Sequence, residues 1–271
     1  MIVITVPTGN IGHQVLARVL AGVLAGDQPV RVIVRDPARL SADVRARVEV
    51  IQGSHGDPQV VTRAFDGADA LFWLLPGDRQ AVSAGEAYVG FTRPAARAIR
   101  SQGVKRVVDV SALGRDTKYA GQAGHVTASL DMDDLIAGTG VAFRALAMPS
   151  FMDNMGRQTR MIKERGVFSG VTSPYLKAPT VATRDIAAVA ARLLLDPTWT
   201  GQEEVPVLGP EDLSGNDMAA ILSEVLGTPV MIAKDHGLDN GIARTPQNAI
   251  DTPTTFRRWC EDTLKPAVQG A

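Results

Sequence analysis

Residues 2–13 read IVITVPTGNIGH, and this stretch decides the fold of the chain. It opens on a run of β-branched residues, continues through a turn rich in small residues, and leads into apolar residues at helical spacing from Val15 to Leu24. That order predicts a strand, a glycine turn and a helix. The N-terminus of such a helix directs N–H groups and its positive dipole end over the turn, where a dinucleotide pyrophosphate usually binds.

The turn departs from its usual form at one position. In a G-x-x-G-x-x-G turn the first glycine would stand at position 6, where this chain has Val6 followed by Pro7. The first glycine often needs a backbone that no side chain tolerates, and a β-branched residue before proline is pushed toward extended geometry. We therefore expect the turn to be built differently. Gly9 and Gly12 remain, and these two allow close approach of a pyrophosphate and tight packing of the helix.

Composition and charge exclude several classes of protein. The chain has 271 residues, with 28 basic and 29 acidic side chains and a formal net charge of −1, so no nucleic-acid partner is expected. No apolar stretch approaches the roughly 20 residues that cross a bilayer, so no membrane partner is expected either. Cys260 is the only cysteine, which excludes an internal disulfide and fits a cytoplasmic protein. The core strand at the start predicts that no signal peptide is present.

Strand and helix patterns alternate through the first half of the chain. Apolar runs at 30–34, 48–51, 70–75, 106–110 and 141–147 predict five further strands separated by helical segments. Continuous apolar runs of this kind indicate parallel strands buried on both faces. We expect an α/β fold with a Rossmann-type doubly wound parallel sheet in the order 3-2-1-4-5-6. The longest helix is predicted at 83–101, with a kink or a break into two pieces at Pro94.

The alternation of strand and helix patterns is less regular after residue 150. We expect residues 1–150 to form the NAD(P)-binding Rossmann-like core, and residues 151–271 to form a smaller α/β lobe over its crevice. Residues 204–209 are expected to return to the main sheet. Loop and hairpin character is predicted at 166–181, and a mobile loop at 112–124. Helices are predicted at 152–165, 183–195 and 214–226 and from 252 onward, and a strand at 229–233.

Seven short stretches occur in a fixed order along nearly the full chain: residues 8–12, 32–37, 105–108 with 111–112, 151–154, 185–190, 208–211 and 226–227. As an ordered set they resemble the NmrA-like group of atypical short-chain dehydrogenases/reductases, which includes quinone-oxidoreductase-like members. The resemblance implies the fold and a dinucleotide site. It implies much less about the reaction, because function depends on the site rather than on the fold.

Arg35 is the most informative single charge for the choice of cofactor. It follows the second strand, where NAD-preferring proteins place a carboxylate that binds the ribose 2′-hydroxyl. The planar guanidinium group of an arginine at this position suits a 2′-phosphate instead. Asp36 is expected to oppose that phosphate and Arg39 to assist its binding. We expect NADP, as NADPH, rather than NAD; the alternative is no cofactor, because Val6 replaces the first motif glycine. The residues expected to bind the cofactor are Thr8, Gly9, Asn10, Ile11, Gly12, Arg35, Leu75 and Pro76.

The catalytic residues depart from the common short-chain dehydrogenase pattern. No Tyr-x-x-x-Lys pair is present, because the residue four places after Tyr119 is an alanine. Residues 125–129 resemble the family's His-x-x-x-Lys segment, but Ser129 stands where lysine is common. The catalytic candidates are therefore Ser111, Tyr119 and His125. Ser111 either bonds a substrate carbonyl or caps its strand, and the other two are either proton donors or ordinary loop residues.

Aromatic and methionine side chains follow the sixth strand, where the family forms the floor of its substrate cleft. Such a lining suits a flat, apolar small molecule such as a quinone, and core packing is the alternative explanation. The histidines and the single cysteine lack the spacing of metal ligands. The sequence contains no Gly-x-Ser-x-Gly motif, which would predict a hydrolase. The residues expected to contact the substrate are Phe91, Phe151, Met152, Asn154, Met155 and Tyr175.

Three functions follow from these observations. The leading hypothesis is an NAD(P)H-dependent oxidoreductase that passes a hydride to an apolar carbonyl, quinone or conjugated small molecule, with the proton from water, Tyr119 or His125. The second is a non-catalytic NADP-binding redox sensor of the NmrA type, favoured by the missing lysine. The third is an enzyme of secondary metabolism that has lost the nucleotide and performs a cyclisation or isomerisation. It is favoured by Val6 and by Ser54, which stands where the family often has aspartate. A homodimer is left open.

Overall fold

The structure of the protein, a computed structural model, describes residues 1–23, 28–75, 81–170, 173–233 and 252–270. The chain divides into two compact units. Unit 1 contains Met1–Ala147 and Ile186–Val205, and unit 2 contains Met148–Asp185 and Pro206–Ala271. No helix within the described ranges has both the length and the apolar character needed to cross a membrane.

Short strands run through both units. In chain order they are β1 (Ile2–Thr5), β2 (Val30–Val34), β3 (Glu49–Gln52), β4 (Ala70–Trp73), β5 (Arg106–Ala112), β6 (Ala142–Met148), β7 (Ser150–Phe151), β8 (Val167–Ser169), β9 (Ala178–Val181), β10 (Gln202–Pro206), β11 (Asp212–Leu213) and β12 (Met231–Ala233).

Helices separate most of these strands. In chain order they are α1 (Asn10–Gly22), α2 (Ala42–Arg45), α3 (Pro58–Phe65), α4 (Phe91–Gln102), α5 (His125–Ala137), α6 (Thr159–Arg165), α7 (Thr183–Leu195), α8 (Gly215–Leu226), α9 (Phe256–Trp259) and α10 (Lys265–Gln269). Tighter 3-10 turns cover Pro37–Arg39 and Met152–Gln158, and wider π turns cover Glu86–Gly90 and Cys260–Leu264.

Unit 1 is built around a sheet in the order β3-β2-β1-β4-β5-β6-β10. The pairs that β1 makes with β2 and β4 are parallel, as are the pairs β2–β3 and β4–β5. The predicted doubly wound fold and the predicted order of its first six strands are confirmed. In this order the direction in which successive strands are added to the sheet reverses between β1 and β4. At such a point the carboxyl ends of the parallel strands form a ligand crevice.

The core of unit 1 explains why these strands read as unbroken apolar runs. Every residue of β1 and β4 is buried. Trp73 at the end of β4 is fully buried among the side chains of α3 and α4, and its indole N–H donates to Thr92 Oγ1 at 3.2 Å. A buried tryptophan usually needs such a partner for its N–H group.

The long helix predicted at 83–101 changes its hydrogen bonding before Pro94 rather than at it. The wider turn Glu86–Gly90 precedes α4, and Pro94 lies inside α4. The change in hydrogen bonding therefore precedes Pro94, and a kink at Pro94 itself stays a prediction. A proline leaves the carbonyl oxygen four residues before it without its usual donor, and that residue, Gly90, is the last of the irregular turn.

Unit 2 contains a three-stranded sheet in the order β11-β9-β7 and a parallel pair of β12 and β8. The hairpin expected within 166–181 is wrong: β8 pairs with β12, and β9 pairs with β11 and β7. Short apolar runs indicate strands but do not specify distant partners. The core of this unit is built around Phe168, Leu222, Phe256 and Trp259.

Candidate functional site

The turn after β1 keeps the left-handed backbone that glycine would normally provide. Val6 has a φ angle of 49° and is the only non-glycine residue with positive φ among those that the structure describes. The expectation that Val6 is extended and that the turn is built differently is therefore wrong. The N–H of Gly9 donates to the Val6 carbonyl oxygen at 3.0 Å and closes the turn. A β-branched residue in this region is strained by about 1–3 kcal/mol, which surrounding contacts must offset.

Gly9 and Gly12 are required by the closeness of α1 to this turn. A Cβ on Gly12 would lie 2.0 Å from the carbonyl oxygen of Val6, and a Cβ on Gly9 would lie 2.7 Å from Val6 Cγ1. Helix α1 begins without a side-chain cap and without an acidic residue in its first turn. Its positive end therefore suits an anion placed over the turn.

A cavity of about 350 Å³ lies beside the turn, at the carboxyl ends of β1, β2 and β3. Arg35 and Arg39 are its two cationic side chains, and both are exposed. The carboxylate of Asp36 accepts the Ala38 N–H at 3.0 Å and caps the turn Pro37–Arg39. The full lining is Val6, Pro7, Thr8, Ile33, Val34, Arg35, Asp36, Arg39, Gly53 and His55.

His55 forms part of the cavity wall, and no sequence signal had identified it. Its Nε2–H donates to the carbonyl oxygen of Leu74 at 3.0 Å, and its ring lies edge-on to Trp73 and Phe91 with centroids 5.1 and 4.9 Å away. Burial lowers the pKa of His55 to about 4, although the bond to Leu74 opposes the change, and the charge of Arg35 lowers it further. His55 is therefore a neutral wall residue at physiological pH.

Ser111 lies near the end of β5 and is held by side chains of α5. Its hydroxyl donates to Asp133 Oδ2 at 2.5 Å, and its Oγ lies 3.5 Å from Ser129 Oγ. Residues two apart on a strand share one face, as do residues four apart on a helix. Asp109 and Ser111 on β5 therefore face Ser129 and Asp133 on α5. Ser129, which stands where the family commonly has lysine, thus lies beside the catalytic candidate Ser111.

A buried pair of carboxyl groups lies behind Ser111, and sequence reasoning missed it. Asp109 is fully buried, and no donor in the described chain bonds either of its oxygens. Its carboxyl group faces that of Asp133, and two carboxyls bond each other only when one carries a proton. Burial and the charge of Asp133 raise the pKa of Asp109 well above its usual value. Burial raises the pKa of Asp133 to about 6, against the bond from Ser111, which lowers it.

Arg115 is the positive charge nearest to this pair. It follows β5 and contacts Asp134 at 2.7 Å, Asp133 at 3.4 Å and Glu204 at 3.6 Å. With three carboxylates around it, Arg115 neutralises Asp133 only in part. This arrangement explains why Asp133 keeps a raised pKa despite a nearby guanidinium.

The other two catalytic candidates lie apart from this cluster. Tyr119 is exposed, with Lys118 Nζ 5.0 Å from its ring centroid. His125 is the exposed first residue of α5, with its ring 6.0 Å from that of Tyr88. Within the described chain, neither forms a hydrogen bond with Ser111 or Asp133. Their roles as proton donors stay predictions.

The remaining site predictions fall in different places. In unit 2, Met152 and Met155 are buried in the core, whereas Asn154 and Tyr175 are exposed and Phe151 is half-buried. Core packing accounts for the two methionines, and substrate contact by any of the five stays a prediction. In unit 1, Phe91 packs on His55 and Leu75 packs against the core. Pro76 lies outside the described residues. No cluster of described histidine, cysteine and acidic side chains has the form of a metal site.

Comparison with known proteins agrees with this geometry. A family model described as NAD(P)H-binding matches residues 7–197. A (4-alkanoyl-5-oxo-2,5-dihydrofuran-3-yl)methyl phosphate reductase from Streptomyces griseus is 32% identical, over 85% of this chain and 75% of that protein. An NAD(P)H azoreductase from Xenophilus azovorans is 29% identical over the same shares. The NADPH complex of an Escherichia coli quinone oxidoreductase has a TM-score of 0.74 at 24% identity, covering 88% of this chain and 79% of that one. That last likeness concerns the fold.

Proposed function

The chain belongs to the NAD(P)H-binding family, in the NmrA-like group of atypical short-chain dehydrogenases/reductases, and from this premise we propose that it is an NADPH-dependent reductase. Its substrate is an apolar carbonyl compound, quinone or otherwise conjugated small molecule. The observation that carries the proposal is the cavity beside the Val6 turn, with Arg35 and Arg39 on its wall.

The residues present fit a dinucleotide. A Cβ at position 9 or 12 would collide with Val6, so the turn brings backbone rather than side chains to the positive end of α1. Backbone N–H groups at that end suit a pyrophosphate. Val6 replaces the first motif glycine but keeps the left-handed backbone, so its side chain alone is no reason to expect loss of the site. We assign the pyrophosphate to Thr8, Gly9, Asn10, Ile11 and Gly12.

NADPH is proposed over NADH because of the charges on the cavity wall. Arg35 follows β2, where a carboxylate would bind the ribose of NAD. Asp36 is the nearest acid, and its carboxylate is engaged with the Ala38 N–H. Arg35 and Arg39 are therefore placed to share a 2′-phosphate through charge-assisted hydrogen bonds.

When bound, the cofactor supplies a hydride to the substrate. The chain itself must then bind the developing negative charge and deliver a proton. We assign the contact with the substrate oxygen to Ser111. Phe91, which packs on His55 of the cavity wall, is proposed to contact the substrate. The two sequence relatives are named for the reduction of an oxo-dihydrofuran phosphate and for azoreduction, which supports an electron-poor conjugated substrate here.

Titration calorimetry with NADPH and NADH tests the cofactor assignment. We expect NADPH to bind at least about tenfold more tightly, because a charge-assisted hydrogen bond contributes about 1.5–3 kcal/mol. Arg35→Ser and Arg39→Ser should each weaken NADPH binding by about tenfold and leave NADH binding unchanged. Arg97→Ser, an exposed arginine on α4, is the matched control and should change neither.

Turnover is then measured with a panel of quinones, enones and azo compounds. Oxidation of NADPH with any of them supports the reductase. Absence of binding by either nucleotide would overturn the proposal. Tight NADPH binding with no turnover across the panel would favour the NADP-binding sensor instead.

A further inference from the structure

Asp133 has no role in the reaction as described so far, although it holds the residue assigned to the substrate oxygen. We propose that Asp133 sets the direction of the Ser111 hydroxyl and delivers, through that hydroxyl, the proton taken up by the reduced substrate. This inference rests on the proposed reductase function. It makes Asp133 a positioning and proton-supplying residue that acts without touching the substrate.

The proposal follows from the fact that the Ser111 hydroxyl group has one proton and can donate it to only one partner at a time. Ser111 Oγ and Asp133 Oδ2 are 2.5 Å apart. When Asp133 is ionised, it accepts the hydroxyl proton, so Ser111 offers a substrate only lone pairs and cannot polarise a carbonyl. When Asp133 is protonated, the carboxyl group donates to Ser111 Oγ, and the hydroxyl proton turns to the substrate. The proton on Asp133 thus switches Ser111 from an acceptor to a donor.

The groups that face Asp133 act on its proton affinity in opposite directions, and burial is the largest effect. The hydrogen bond between Asp109 on β5 and Asp133 favours the ionised form of Asp133, whereas burial favours the neutral form of both acids. Glu204 on β10 acts in the same direction as burial. Arg115 and the bond from Ser111 also favour the ionised form of Asp133, and Arg115 further contacts Glu204 and Asp134, the exposed neighbour of Asp133 on α5. The pKa of Asp133, raised to about 6, leaves the group able both to hold and to release a proton near neutral pH.

The step balances in atoms and electrons. A hydride delivered to the electrophilic carbon of the substrate brings two electrons and leaves a negative charge on the substrate oxygen. That oxygen takes the Ser111 hydroxyl proton while Ser111 Oγ takes the carboxyl proton of Asp133. Asp133 is left as a carboxylate and regains a proton from solvent before the next cycle. The net reaction consumes substrate, NADPH and one proton.

Steady-state kinetics between pH 5 and pH 9 provides the first test. In the wild type, kcat should fall as pH rises through the pKa of Asp133. Asp133→Asn should flatten this profile, because the amide does not titrate in this range. It should also lower kcat at pH 6 by about 100-fold or more, because no proton is supplied. The dissociation constant for NADPH should stay unchanged. Asp131→Asn is the matched control, since it removes an exposed carboxylate of the same helix and should retain the wild-type profile.

Carbon-13 NMR of aspartate-labelled protein provides a second test that needs no turnover. One carboxyl resonance should titrate near pH 6 in the wild type and in Asp131→Asn, and should be missing in Asp133→Asn. Ser111→Ala should move that titration to higher pH, because it removes a bond to the ionised form. This variant also tests the relay if Asp133→Asn fails to fold.

Two results would overturn the inference. One is an Asp133 resonance that stays ionised down to pH 4, and the other is an Asp133→Asn variant with the wild-type pH profile. Failure of the reductase proposal is distinguishable, because it appears in the wild type as absent NADPH binding or turnover, whereas the NMR titration reports on the Ser111–Asp133 bond regardless.

Discussion

The carbonyl oxygen of Val6 lies 2.0 Å from the position that a Cβ on Gly12 would occupy. The left-handed backbone at Val6 and the absence of a side chain at position 12 therefore belong together. One residue turns the chain out of β1, and the other lets α1 approach the resulting turn. Both are needed to present backbone atoms to a pyrophosphate.

Gly12→Ala should therefore damage both the fold and the cofactor site. The added methyl group meets backbone atoms that have no alternative rotamer, so we expect a loss of about 1–3 kcal/mol of unfolding free energy, or more. NADPH binding should fall below detection in calorimetry. Gly121→Ala is the control, because a Cβ there meets nothing within 4 Å and its φ angle is ordinary. Equal stability and affinity of the two variants would contradict the packing argument.

Val6→Gly should keep the turn and relieve the strain of its left-handed backbone. The left-handed conformation strains valine by about 1–3 kcal/mol, whereas glycine adopts it freely at an entropic cost of about 0.5–1 kcal/mol. We expect chemical denaturation to place the unfolding free energy within about 1 kcal/mol of the wild type, since strain relief offsets lost burial. NADPH affinity should be equal or higher.

Val3→Gly is the comparison for this variant, because Val3 is fully buried within β1. It removes a core side chain with no strain to relieve, and we expect a loss of about 2 kcal/mol or more. A similar loss in Val6→Gly would show that the valine side chain, rather than the backbone, supports the turn.

His55 should make the protein less stable in mild acid. Its pKa is about 4 in the folded state and 6.5 in the unfolded chain. The unfolded state therefore binds a proton first as pH falls. The associated stability is fully present above pH 6.5 and is lost between about pH 6.5 and pH 4. Each pKa unit corresponds to about 1.4 kcal/mol, so the loss approaches about 3 kcal/mol.

Denaturant unfolding at half-unit pH steps checks this expectation. His55→Gln keeps a donor for the Leu74 carbonyl oxygen but cannot titrate, so its stability should change less over this range although it starts lower. His13→Gln replaces an exposed histidine of α1 and should retain the wild-type slope. A wild-type slope in His55→Gln would assign the acid sensitivity to other groups.

The fold could be predicted from local sequence patterns because each pattern has a direct physical cause. Parallel strands buried on both faces need continuous apolar runs, and the alternation of runs with helical segments predicted six strands in their observed order. The same argument failed for 166–181. There β8 and β9 were recognised only as a hairpin, since a three-residue strand carries no information about a partner as distant as β12.

Site residues could be predicted from the sequence only where the residue type, together with its position at the end of a strand, indicates a role. Arg35 follows β2, and the structure places it on the cavity wall. Ser111 lies near the end of β5, and Ser129 at the expected lysine position lies beside it. Asp109 and Asp133 gave no such signal, because an acid inside an apolar strand and one on a helix become a pair only when α5 packs on β5.

The amino-acid sequence by itself thus determined the doubly wound sheet, the glycine turn that opens it and the cationic residue after β2. Only the tertiary structure decided the backbone conformation of Val6, that His55 is a buried wall residue, and that two aspartates are buried together behind Ser111. The physical reason is that periodicity records how deeply a residue is buried, whereas backbone strain and proton affinity depend on the groups that distant segments bring against it.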